Sequence, residues 1–254
     1  MSQAVPHHFP EAPVTDQPQR VLVVLAHPDD PEFFCGATLA KWARAGKEIR
    51  YLLLTCGDKG SDNPDVTPAM LCADRTVEQR AAANIIGAKD VVFLNYRDGE
   101  LANTREVQRD IVRAIRRLKP HIVVTCDPTT LFRPNNAVVN HPDHRAAGAA
   151  TLDAVFPASG NRMYFPELLA EGCEPYAPKE VWLSVTNEPS AWVNVNDTLE
   201  IKLAALRAHK SQIKDPAALE KRIRDRLRRA DVDGDFFAEG FRVIRFLQIE
   251  SRAG

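Results

Sequence analysis

The chain has 254 residues, 44% of them apolar, and carries 33 Lys+Arg against 34 Asp+Glu for a formal net charge of −1. That length supports one large core or two small ones. The near-neutral balance argues against a nucleic-acid binder that works by phosphate neutralisation and against an acidic disordered chain.

Residues 1–18 contain two His and several Pro but no apolar stretch of the kind a secretory signal needs, so they read as a flexible N-terminal arm. Residues 19–254 read as a single α/β domain, with 190–254 a C-terminal helical extension and a candidate last strand. No apolar run approaches the roughly 20 residues that span a bilayer, so no membrane partner is expected. Five cysteines (Cys35, Cys56, Cys72, Cys126 and Cys173) form no CxxC pair and an odd number. They are expected to be reduced, buried thiols of a cytoplasmic protein.

Arg20–Ala26 is a continuous apolar run rich in Val and Leu, the pattern of a strand buried on both faces. His27-Pro28 ends it, because proline cannot continue a central strand. A helix is expected over 34–45, closed by Gly46. A second strand covers 48–55 and stops at Cys56-Gly57-Asp58-Lys59-Gly60, a loop by composition. Helical spacing runs from about 73 to 86, closed by Gly87. A third strand covers 91–94. Thr104 is placed to cap a helix over 105–118, with Ile111, Val112, Ile115 and Leu118 on one face. A fourth strand covers 121–126. After a loop, a helix begins near His141 or Pro142 and runs to about 155. A strand over 179–185, helices over 197–212 and 216–230, and a last strand over 241–249 complete the chain. Six of the ten residues from Lys221 to Ala230 are Lys or Arg, which reads as a solvated helix face.

Strand and helix alternate four times with short connections in the first half. The expected fold is therefore Rossmann-like α/β, an open, mostly parallel sheet with helices on both faces. Such sheets bind ligands beyond the C-terminal ends of their strands. There the first strand delivers His27-Pro28-Asp29-Asp30 and the second Gly57-Asp58-Lys59-Gly60. The third delivers Asp98-Gly99, the fourth Asp127, and the loop after it His141-Pro142-Asp143-His144.

Histidine is scarce, with seven in all. Two of them open the tripeptide His-Pro-Asp, at 27–29 and 141–143, and His144 follows the second copy. Two imidazoles and a carboxylate commonly hold a catalytic divalent metal, zinc or iron(II), with positions left open. His27 and Asp30, three apart across a turn, can point at one ion. His141 and His144 share a helix face. Asp29 adjoins a candidate ligand and is placed to take a proton from water. Either His-Pro-Asp alone would serve as a helix-entry turn, but both at strand ends point to a site. Neither GxGxxG nor GxxxxGK[ST] follows the strands, which counts against a nucleotide-binding domain.

These motifs resemble the LmbE-like (PIG-L-like) zinc-dependent N-acetylglucosaminyl de-N-acetylases. The likeness rests on Ala26-His27-Pro28-Asp29-Asp30-Pro31-Glu32, Thr55-Cys56-Gly57-Asp58-Lys59-Gly60, Arg75-Thr-Val-Glu78, Asp98-Gly99 and His141-Pro142-Asp143-His144. It extends loosely to Leu203–Gln212, which contains His209-Lys-Ser-Gln. The resemblance implies Zn2+ held by His27, Asp30 and His144, with Asp29 as general base on the attacking water. It implies that His141 stabilises the oxyanion or protonates the departing amine, and that Arg75 and Asp98 bind sugar hydroxyls. Asp143 or Asp127 is expected to hold the His141 ring. The implied substrate is a small N-acetylated amino sugar or its conjugate. A thiol-conjugate amidase and a non-catalytic metal-containing sugar-binding module are the rival readings. The C-terminal helices are candidates for packing between subunits of a homo-oligomer.

Overall fold

The computed structural model describes residues 19–133, 138–229, 232 and 234–246. The expected N-terminal arm, the last residue of the 216–230 helix and the end of the 241–249 strand lie outside the described residues. The apolar runs form strands β1 (Arg20–Leu25), β2 (Glu48–Thr55), β3 (Asp90–Tyr96), β4 (Ile122–Cys126) and β5 (Glu180–Ser184). Two further strands follow, β6 (Ala191–Asn194) and β7 (Ala238–Arg245). The helices are α1 (Asp30–Arg44), α2 (Pro68–Ile86), α3 (Arg105–Leu118), α4 (Pro142–Asp153), α5 (Glu167–Ala170), α6 (Leu199–Leu206) and α7 (Pro216–Leu227).

The strands make one seven-stranded sheet in the order β3-β2-β1-β4-β5-β7-β6. The pairs from β3 to β5 are parallel, while β7 runs antiparallel to both β5 and β6. The Rossmann-like α/β expectation holds. Strand order reverses between β1 and β4, and this switch point is where open sheets of this kind leave a crevice.

The period of two along β1 divides the core. Leu22, Val24 and Ala26 pack with Ile111, Val112 and Ile115 of α3 and Ala147 of α4. Val21, Val23 and Leu25 pack on the other face with Cys35 and Leu39 of α1 and Ala82 and Ile86 of α2. A third cluster joins Ala37 of α1 to Leu199 and Leu203 of α6 and Leu219 and Ile223 of α7. The C-terminal segment is thereby packed against the helix that leaves β1. Truncating a fully buried residue such as Leu53 to Ala costs about 2–5 kcal/mol.

Several elements differ from expectation: α6 ends at Leu206 rather than at 212, and β7 begins at Ala238 rather than at 241. Helix α1 starts at Asp30, with Pro31 in its first turn, because proline is tolerated there. Helix α2 starts at Pro68, where Thr67 Oγ1 accepts the Met70 N–H. Strand β6 is short and half-buried, and carried no clear alternation.

The expectation of five reduced thiols is corrected. Cys56 and Cys72 form a disulfide, while Cys35, Cys126 and Cys173 are free and buried. Cys56 directly follows β2 and Cys72 lies near the start of α2, 16 residues on. The pair is made by α2 folding back over the strand end, so no short Cys spacing announces it.

Candidate metal centre and active-site cleft

The end of β1 turns sharply into α1, and Asp29 takes the left-handed conformation with φ +85°. For a residue with a Cβ this is a strained backbone, which persists only where the surroundings over-determine it. The surroundings here do so. Asp29 N–H donates to Gln79 Oε1 at 2.7 Å, and the Phe33 N–H donates to Asp29 O at 2.9 Å. Arg75 Nη2 donates to Pro28 O at 2.6 Å and to Asp29 Oδ2 at 3.2 Å.

Arg75 explains the loop after β2. Its Nη1 donates to Gly57 O at 2.9 Å. A Cβ at Gly57 or Gly60 would run into the Arg75 guanidinium, and Gly57 also has φ +69°. The two glycines of Gly57-Asp58-Lys59-Gly60 therefore leave room for an arginine.

His27, Asp30 and His144 converge beyond the strand ends. His27 Nδ1 lies 3.3 Å from His144 Nε2 and 3.4 Å from Asp30 Oδ2. His144 Nε2 lies 3.1 Å from Asp30 Oδ1. Ligands on a tetrahedral zinc, bonded at about 2.0–2.2 Å, stand about 3.3–3.6 Å apart. The donor set and its spacing thus fit a divalent metal. His27, His141 and His144 form a second such group, and His27, Asp98 and Asp143 a third, with ligand atoms mutually within 4.8 Å.

The outer partners favour the first set. His27 Nε2 is occupied by Asp98 Oδ1 at 3.1 Å and Asp143 Oδ2 at 3.3 Å. That leaves Nδ1 for an ion and fixes the tautomer through a carboxylate on the far nitrogen. His144 is held likewise, with Asn140 Oδ1 3.2 Å from its Nδ1.

The electrostatics show the same demand for positive charge. Burial disfavours a charged His27 ring, but hydrogen bonds with Asp143, Asp30 and Asp98 outweigh it and push the ring up to about 12. Burial would raise Asp30 too, yet His144 and His27 hold it far below the usual carboxylate range. Asp98 is drawn down to about 2, where burial is overcome by His27 and the Lys59 N–H. Asp29 behaves in the opposite way. Burial lifts it to about 6 against the opposing charge of Arg75.

Neither carboxylate expected to hold His141 does so. Asp143 gives its carboxylate to His27 and to the Gly99 N–H, at 2.7 Å. Asp127 is taken up by Thr129 and Thr186. His141 caps α4 instead, its Nδ1 accepting the Asp143 N–H at 3.2 Å. The remaining proton of the neutral ring then sits on Nε2. Burial, with His27 and His144 nearby, lowers the pKa of His141, so the neutral donor is its resting form.

A cleft of about 730 Å3 opens above this centre. Phe33, Phe34, Asp98 and His141 line it, and α7 adds Arg222, Ile223 and Arg226. The charged run at 221–230 is therefore not solvated throughout. Arg224 pairs with Glu220 and Glu200 and Lys221 with Asp225, while Arg226 donates to Phe33 O at 2.6 Å. Sequence reasoning also missed Gln79, Glu32 and Asn140. Glu32 closes the Ala26–Glu32 motif and Gln79 lies one helical turn after Arg75, so both left a signal, while Asn140 left none.

Residues 22–155 match the PIG-L family, described as GlcNAc-PI de-N-acetylase. The chain belongs to this family. The deacetylase is 36% identical over 194 residues to the diacetylchitobiose deacetylase of Thermococcus kodakarensis, covering 76% of this chain and 70% of that one. It is 30% identical over 201 residues to a probable N-acetyl-alpha-D-glucosaminyl L-malate deacetylase 2 of Bacillus anthracis, covering 76% and 81%. The solved N,N'-diacetylchitobiose deacetylase of Pyrococcus horikoshii superposes with a TM-score of 0.81 at 31% identity, over 89% of this chain and 84% of that one. Like its relatives this deacetylase is an amide hydrolase with a His/Asp group suited to a metal ion. Among the described residues no helix is long and apolar enough to cross a membrane.

Proposed function

We propose that this deacetylase removes the acetyl group from an N-acetylglucosamine-type saccharide, with zinc held by His27, Asp30 and His144. The observation that carries the reading is the convergence of those three side chains at 3.1–3.4 Å, with Asp29 beside them in the same cleft. A divalent ion held there supplies positive charge to the acetyl carbonyl and makes water more acidic.

Asp29 takes the proton of the attacking water and returns it to the amine as the C–N bond breaks. Its largely buried carboxyl, lifted to about 6 in the metal-free protein, is suited to both transfers near neutral pH. His141 donates its Nε2–H to the carbonyl oxygen as negative charge builds there. Arg75 holds Asp29 and Asp98 holds His27. Both also edge the cleft, where they meet the hydroxyls of the sugar.

The test is acetate release from N-acetylglucosamine, diacetylchitobiose and N-acetylglucosaminyl-malate, with and without chelator. The expected result is release that chelation abolishes and added zinc restores. Metal-loaded protein that binds these sugars without releasing acetate would leave the sugar-binding module as the better reading. Release only from a thiol conjugate would favour the amidase.

A further inference from the structure

His209 follows α6 and is fully buried, yet no step of the proposed reaction uses it. Its Nε2 lies 3.1 Å from Glu32 Oε2, and Glu32 is fully buried as well. Both Glu32 oxygens accept from Gln79 Nε2, at 3.1 and 3.0 Å. An amide has one donor end and one acceptor end. With Nε2 committed to Glu32, Gln79 turns Oε1 the other way, where it accepts the Asp29 N–H at 2.7 Å. This is the residue held at φ +85°.

The segment carrying His209 is itself anchored. The Ser211 N–H and Oγ both donate to the Glu78 carboxylate at 2.7 Å, and Gln212 Nε2 donates to Gly60 O at 3.3 Å. A series of hydrogen bonds therefore runs from an anchored turn, through Glu32 and Gln79, to the peptide of Asp29. Packing alone would be served as well by apolar side chains, which carry no desolvation cost. A buried polar series with a defined direction is suited to holding a strained turn.

We propose that His209 is a positioning residue for deacetylation. It acts through Glu32 and Gln79 to hold the backbone conformation that aims Asp29 into the cleft. The inference rests on reading Asp29 as the general base.

The test compares His209→Leu, His209→Gln, Gln79→Leu and the His209→Leu/Gln79→Leu double variant as zinc-loaded enzymes on the best substrate of the panel. In His209→Leu, kcat should fall about 10–100-fold with metal content unchanged. KM should stay within about two-fold, because substrate contacts are untouched. His209→Gln, which keeps a donor, should recover most of the loss. The double variant should be no slower than the slower single, because both act on one series of bonds. Wild-type kcat in His209→Leu, equal impairment in His209→Gln, or losses that multiply would overturn the proposal. If His209→Leu does not fold, Gln79→Leu decides alone: lowered kcat at unchanged KM supports the proposal, and unchanged kcat overturns it. Asp29→Asn separates the two levels. An active Asp29→Asn removes the base reading and this inference together. An inactive one beside fully active His209→Leu and Gln79→Leu removes only the inference.

Discussion

The Asp143 carboxylate lies 3.3 Å from His27 Nε2, on the side of the ring away from Asp30 and His144. It also accepts the Gly99 N–H at 2.7 Å, so its own orientation is fixed. The second His-Pro-Asp thus supports the first: its aspartate orients the histidine of the other copy. Asp143→Asn weakens this support without changing volume. Zinc affinity should fall about 10–100-fold, the usual cost of losing an outer partner of a metal-binding histidine. Competition with a chromophoric chelator measures it, and an unchanged affinity would assign the orienting role to Asp98 alone.

His27 keeps a proton in the metal-free protein well above neutral pH, because three carboxylates outweigh its burial and push it up to about 12. A ligating imidazole must be neutral. Zinc binding should therefore release about one proton from this ring near pH 7. Affinity should weaken as pH falls, since protons compete for the ligand. Calorimetric titration of zinc into metal-free protein, in buffers of different ionisation enthalpy, counts the protons. No release would mean that His27 does not ligate through Nδ1.

Asp29 and His144 should separate by role. Asp29→Ala is expected to keep its zinc and lose turnover by about 10²–10⁴-fold, whereas His144→Ala loses both metal and turnover. Asp29 should also set the acid limb of kcat/KM. A base works ionised, so the rate falls as pH drops through the Asp29 pKa. Burial outweighs the opposing Arg75 charge and places that group at about 6, and any cation bound nearby draws it down. Arg75→Met should therefore move the acid midpoint upward. Measured metal content and pH–rate profiles of the three variants check this division. Metal loss in Asp29→Ala would contradict it.

The Cys56–Cys72 bond closes a loop of 16 residues and ties the end of β2 to the start of α2, one helical turn before Arg75. A cross-link over a loop of this length stabilises by about 3 kcal/mol in the chain-entropy account. Cys56→Ala/Cys72→Ala should lower unfolding stability by about 2–3 kcal/mol. Urea denaturation of the pair variant against wild type measures it, and a change below about 0.5 kcal/mol would mean the cross-link contributes nothing.

Much of this was legible beforehand where the signal is local. The alternation of buried strands and helices announced the parallel sheet, and Thr104 caps its helix as short-range chemistry dictates. Helices α1 and α2 start at Asp30 and Pro68, ahead of the expected 34 and about 73, because proline is tolerated in a first turn and gives no apolar periodicity to read. The sequence offers Asp143 and Asp127 alike as partners of His141 and does not record that their oxygens are engaged elsewhere. Only coordinates distinguish a side-chain oxygen from the backbone N–H of the same Asp143.

The sequence by itself determined the sheet, the rim on which His27, Asp29, Asp30, His141 and His144 stand, and the family they resemble. Periodicity and short spacings are local, and they survive in one dimension. Tertiary structure alone decided which nitrogen of His27 faces Asp143 and that α7 turns Arg222 and Arg226 toward the cleft. It also decided that Cys56 meets Cys72 and that His209 reaches Glu32 across 177 positions. Those pairings arise when helices dock on the sheet and against one another, and no local pattern records which side chains the docking brings within hydrogen-bond reach.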